Sequence, residues 1–148
     1  MKRFVFRYRT LLEVREREQR REEGQLSQLL AAQADALRDV ERTENEARQQ
    51  RASFGQHLQG RVDLDTVHMM HGCLEAQERL IQMARDAYDA ACARTENQRE
   101  VLLKAVQAVE VLNKLKERDL NHWRSALEAA EAAALDELAT LRYTRPAF

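Results

Sequence analysis

Apolar residues recur at alternating steps of four and three on both sides of one short interruption, residues 58–67, and this limits the fold more than any other feature of the chain. The interruption reads Leu58-Gln59-Gly60-Arg61-Val62-Asp63-Leu64-Asp65-Thr66-Val67. Gly55 and Gly60 loosen a helix there, because glycine costs about 1 kcal/mol against alanine in a helix interior. Asp63, Asp65 and Thr66 then offer side-chain oxygens able to cap the exposed N–H groups of a new helix. The stretch reads as a reversal between two helices.

Ahead of it runs the seam Leu26, Leu30, Gln33, Leu37, Val40, Glu44, Ala47, Arg51, Phe54, Leu58. Behind it runs Val67, Met70, Leu74, Gln77, Ile81, Ala84, Tyr88, Ala91, Thr95, Gln98, Leu102, Ala105, Val109, Leu112. Both keep the 3.5-residue repeat of a left-handed coiled coil. In an antiparallel hairpin, facing residues share a constant sum of residue numbers. Phe54 with Met70, Arg51 with Leu74, Val40 with Ala84, Leu37 with Tyr88 and Leu30 with Thr95 agree in that sum to within one. The expected fold is all-α, a long antiparallel two-helix coiled-coil hairpin occupying residues 1–148 as one domain. Helix one is expected over about residues 5–56, the reversal over about 57–65, helix two over about 66–141, and a tail over 142–148. The register sets Phe4 opposite about Asn121. Helix two should therefore protrude beyond its partner, with the stripe Lys116, Leu120, Trp123, Leu127, Ala130, Ala134, Leu138, Leu141, until Pro146 ends it.

Composition supports long helices over a globule. Charged residues make up 33% of the 148, aromatics 5%, and four glycines and one proline leave little material for loops and strands. A formal net charge of −1 argues against a nucleic-acid binder. No apolar run is long enough to span a membrane, and Phe4-Val5-Phe6 is too short for the apolar core of a signal peptide. On helices Cys73 and Cys92 would lie about 28 Å apart, too far for a bridge within the chain. A reducing cytoplasm is the expected location. Residues 13–23 are polar nearly all round, so the register leaves the apolar strip from Leu102 to Leu112 under-covered. That strip supports an alternative, a structural coiled coil that self-associates.

Chemistry-bearing motifs are missing. The sequence has no phosphate loop, G-x-G-x-x-G, G-x-S-x-G or H-E-x-x-H. Its carboxylates fall on a solvated helix surface, so no enzyme activity, cofactor or small-molecule substrate is expected. His68, His71 and Cys73, with His57 across the reversal, form the one cluster of ligand type. They flank the inward stripe, and a polar helix flank accounts for them without a metal. Trp123 either anchors a partner or folds against its own helix. The basic, aromatic segment Lys2-Arg3-Phe4-Val5-Phe6-Arg7-Tyr8-Arg9 has three readings open: contact with a membrane surface as a peripheral protein, packing against the C-terminal helix, or binding to an acidic protein.

The opening residues Phe4-Val5-Phe6-Arg7-Tyr8-Arg9-Thr10-Leu11-Leu12, followed by the Arg/Glu-rich run to Glu18, resemble the F-x-F-R-x-x-x-L-L start of flagellar FliJ proteins. Leu115-Lys116-Glu117-Arg118, Trp123 and Leu135-Asp136-Glu137-Leu138-Ala139 are similar to that family's C-terminal pattern. The resemblance implies a stalk like the gamma subunit of rotary ATP synthases. Its implied partners are the hexameric flagellar export ATPase, the membrane protein of the export gate and the export chaperones. It also implies a cytoplasmic protein held peripherally at the inner membrane. By this analogy the terminal end, with Arg7, Arg9, Leu11, Leu12, Trp123 and Leu127, would meet the ATPase. The reversal end, with Leu37, Val40, Phe54, Met70, Leu74 and Ile81, would meet the gate.

Overall fold

The computed structural model describes residues 3–144. Among these it contains two helices and no strand, α1 over Arg9–His57 and α2 over Leu64–Thr144. The two pack on each other antiparallel. Glu44 pairs with Arg85 and Arg51 with Glu78, so partners advance along one helix as they retreat along the other. The chain divides into two compact units, one formed by Met1–Arg20 with Lys104–Phe148 and the other by Arg21–Leu103.

The reversal is tight. After His57 the Leu58 N–H still donates to the Phe54 carbonyl at 3.1 Å. Gly60 then takes a φ of 101°, in the left-handed region that suits glycine because it has no Cβ. Asp63 sits at the N-cap position of α2 and its carbonyl accepts from the Val67 N–H at 3.2 Å. Asp63 and Asp65 both place negative charge at the positive end of the helix dipole.

In the unit of Arg21–Leu103, α2 presents the expected seam from Met70 onward, whereas Val67, expected to open it, is 41% exposed. Met70, Ile81, Ala91 and Thr95 are buried, and Leu74, Gln77, Ala84, Tyr88 and Gln98 are half-buried between them. On α1 every second seam position is displaced by one residue. Leu26, Gln33, Val40, Ala47 and Phe54 face inward as the repeat predicts, but their companions are Leu29, Ala36, Thr43 and Gln50. Leu30, Leu37, Arg51 and Leu58, expected in the seam, are exposed, and Glu44 is half-buried at its edge. Glu44 and Arg51 would be costly to bury as charges in the seam; at its rim they stay partly solvated and meet Arg85 at 2.7 Å and Glu78 at 3.0 Å. Large leucines at 30 and 37 share that flank and draw a size-based reading one residue too far.

This seam is thin and partly polar. Thr95 is 1% exposed, and its hydroxyl donates to the Ala91 carbonyl at 3.0 Å and reaches the Leu29 carbonyl of α1 at 3.5 Å. The Gln98 amide donates to Glu22, to the carboxylate at 2.6 Å and to the backbone carbonyl at 3.2 Å. Gln50 and Gln77 each bury a side-chain carbonyl oxygen without a hydrogen-bond partner. Such polar layers add little affinity but penalise slipped registers, as single polar core residues do in coiled coils.

In the unit of Met1–Arg20 with Lys104–Phe148, helix α1 begins at Arg9 rather than at Val5. Residues 3–6 are non-helical and residues 7–8 form a turn closed by the Arg9 N–H on the Phe6 carbonyl at 3.3 Å. A helix continued back to Val5 would carry Phe6 round with the turn. The non-helical segment lets Phe6 join Leu12 and Val109 in a buried cluster, with Phe4, Leu112 and Leu115 packed around it. Leu115 takes the inward place expected of Lys116, which is exposed. Residues 128–144 of α2 are exposed throughout, the stripe residues Ala130, Ala134, Leu138 and Leu141 included. Pro146, expected to end this helix, lies outside the described residues, as does Lys2.

Candidate partner-binding surfaces

Local sequence explains how the first unit presents its terminal side chains. Phe4 packs on Trp123, with ring centroids 6.0 Å apart and planes tilted by 55°. Phe6 meets the edge of Tyr8 at 5.9 Å, and the Arg7 guanidinium lies 5.5 Å over the Tyr8 ring, within cation–π range. Of the three readings of the aromatic N-terminus, packing against the C-terminal helix is the one observed. Leu12 is buried in the cluster and Leu11, 42% exposed, faces outward. Arg7 and Arg9 are exposed, with Arg9 bonded to Glu13 at 3.1 Å. Trp123 and Leu127 are half-buried. An open cleft of about 490 Å³ beside these residues is lined by Arg3, Val5, Arg9, Glu13 and Lys116 among others. Of the terminal candidates, Arg9 and Leu12 line this cleft, and Trp123 meets Phe4.

The residues expected at the reversal end divide differently. Val40, Met70 and Ile81 are buried in the seam, Phe54 and Leu74 are half-buried there, and Leu37 is 40% exposed. Periodicity marks residues that face a helix; it does not distinguish the chain's own helix from a partner's.

Polar chemistry is modest. His71 meets Glu75 at 3.2 Å and the His57 ring bonds the Ser53 carbonyl at 2.8 Å. Among the described residues no group of three or more His, Cys, Asp or Glu side chains is placed to hold a metal ion. The Tyr88 hydroxyl is held above the ordinary value of 10.0, chiefly by its hydrogen bond to the Cys92 thiol, while Gln33 on α1 acts in the opposite sense. No helix of the described residues is long and apolar enough to cross a membrane.

The sequence reading missed one feature. Exposed Met69, Leu80 and Met83 on α2 stand at heptad spacing beside the seam. The signal was available as a second 4-3 series one residue behind the first.

No curated protein and no solved structure matches the chain. The family model described as flagellar FliJ protein matches residues 4–147, nearly the whole length. The hairpin, the F-x-F-R opening packed against the C-terminal helix and that match together place the chain in the FliJ family, as a non-enzymatic component of flagellar export.

Proposed function

We propose that this chain acts as a stalk for the flagellar export ATPase, with its terminal end inserted in the hexameric ring and its reversal end left for the export gate and substrate chaperones. The observation that carries this reading is the bare end of α2. Residues 128–144 continue the helix past the last half-buried position, Leu127, and expose Leu135 (66%), Leu138 (58%) and Leu141 (59%). Apolar side chains left open along a helix call for a partner. A single asymmetric helix inside a sixfold ring makes different contacts with each subunit. It can therefore bias their nucleotide states, since only differential affinity shifts such an equilibrium. In this reading the protein is cytoplasmic and reaches the inner membrane through the export apparatus.

The test is the ATP hydrolysis rate of the matching export ATPase as the purified chain is titrated in. Stimulation should saturate below one copy per ATPase subunit. Leu11→Asp and Leu127→Asp should each reduce it while circular dichroism stays at the parent level. Leu12 is unsuited to this test because its loss would also open the buried cluster. Stimulation unchanged in both variants would defeat the assignment of the terminal end.

A further inference from the structure

The second heptad series on α2 has no counterpart among the described residues. It runs Met69, Cys73, Ala76, Leu80, Met83, Ala87, Ala90, in steps of four and three, one residue behind the seam and so about 100° round the helix from it. Met69 is 65% exposed, Leu80 52% and Met83 67%; the three alanines are exposed and Cys73 is half-buried. A helix with two adjacent heptad seams is built to contact two neighbouring helices. Here α1 covers only one of them.

The two sides of the seam differ in their rims. On one side α1 and α2 are laced by Glu44–Arg85 and Arg51–Glu78. On the other, the same antiparallel repeat sets Asp39 level with Leu80 and Glu46 level with Cys73, so α2 supplies no cation to them. Their ion pairs come from Arg42 of their own helix, at 3.1 Å and 3.9 Å, one guanidinium for two carboxylates. Beyond the stripe, the outer edge of α2 carries Glu75, Asp86 and Asp89 against Arg79. The result is an apolar floor between two rims that each carry an excess of negative charge.

We infer that the residue 69–90 face of α2 is a docking site for one helix of a partner protein, apolar at heptad spacing and cationic along both flanks. Charge complementarity selects this occupant over the others. A second copy of this chain would bring acidic rims onto acidic rims, and like charges across an interface oppose association. An anionic membrane surface would be repelled for the same reason. The two methionines suit such a face, because a flexible thioether fits side chains of varied shape. The site stands apart from the terminal end assigned to the ATPase and does not depend on that assignment.

The test uses the full chain and a labelled designed helical peptide with leucine at its apolar heptad positions and lysine at the flanks, read by fluorescence anisotropy. A twin peptide with glutamate at the flanks serves as the comparison. The cationic peptide should bind saturably and lose affinity as salt rises. Leu80→Glu and Met83→Glu should each weaken it about tenfold or more, equivalent to about 1.4 kcal/mol per tenfold. Because both residues are exposed, helicity should not change. Leu30→Glu, on the opposite flank of α1, should leave binding as it was. Equal binding of both peptides, no binding, or full binding to the Leu80→Glu chain would overturn the proposal. So would sedimentation showing a dimer of this chain that Leu80→Glu dissolves, since the occupant would then be a second copy.

Discussion

The two compact units solve one problem by different means. Both must join α2 to a single covering segment, which provides only a narrow buried surface. The Arg21–Leu103 unit joins helix to helix through apolar layers, Val40, Met70 and Ile81 among them, that alternate with small and polar ones such as Ala47 and Thr95, each at 1% exposure. Its apolar burial is spread along the seam, and specificity comes from Thr95, Gln98 and the rim pairs Glu44–Arg85 and Arg51–Glu78. The other unit concentrates its burial in Phe6, Leu12 and Val109, with Phe4 packed at a tilt on Trp123. Many weak layers define a register; a few large anchors define a point of attachment. A chain built this way can keep its seam aligned over a long distance and still hold its N-terminal segment at one place.

The largest effect should come from the anchored unit. Phe6→Ala is expected to cost about 3 kcal/mol and to speed hydrogen exchange in residues 104–115, leaving amides at 70–95 protected. Exchange that rises equally in both regions would show that the units open together and remove the contrast. In the seam the sign should reverse. Replacing both Gln50 and Gln77 by leucine relieves two buried carbonyl oxygens that lack partners, and should raise urea stability by about 2 kcal/mol. A loss of stability would mean that these amides contribute bonds the seam depends on.

A smaller effect is expected at the rim. Glu44→Gln should cost about 0.5 kcal/mol, as for partly exposed pairs in general, and the difference should fade in molar salt. A cost that persists at high salt would assign Glu44 to packing. The smallest effect concerns Tyr88, whose hydroxyl titrates above 10.0. The folded chain favours the neutral phenol, so this contribution is fully present below the unfolded value and is lost as pH rises through the folded one. An ultraviolet titration should place Tyr88 above free tyrosine, and Cys92→Ala should lower its midpoint.

Much of the hairpin was legible because coiled-coil packing is periodic. From Met70 onward the seam of α2 could be listed from spacing alone, and so could Leu26, Gln33, Val40, Ala47 and Phe54 on α1, where every seventh residue points the same way. Leu29, Ala36, Thr43 and Gln50 could not be chosen over their neighbours, because both series keep the same 3.5-residue repeat and only packing against α2 distinguishes them. The terminal partner-binding candidates were readable as a motif, but the burial of Leu12 was not, since it depends on the chain staying non-helical before Arg9. Val40, Met70 and Ile81 carried the pattern of a binding face and are buried against the chain's own second helix.

By itself the sequence determined two long helices, the reversal at Gly60 and the antiparallel register, because heptad spacing, glycine and helix capping act over a few residues. Only the tertiary structure decided which flank of each helix is closed. That outcome depends on which side chains meet across the seam: Arg85 finds Glu44 on one side, while on the other Leu80 and Met83 are left exposed. Local periodicity is the same on both flanks, and only pairing distinguishes them.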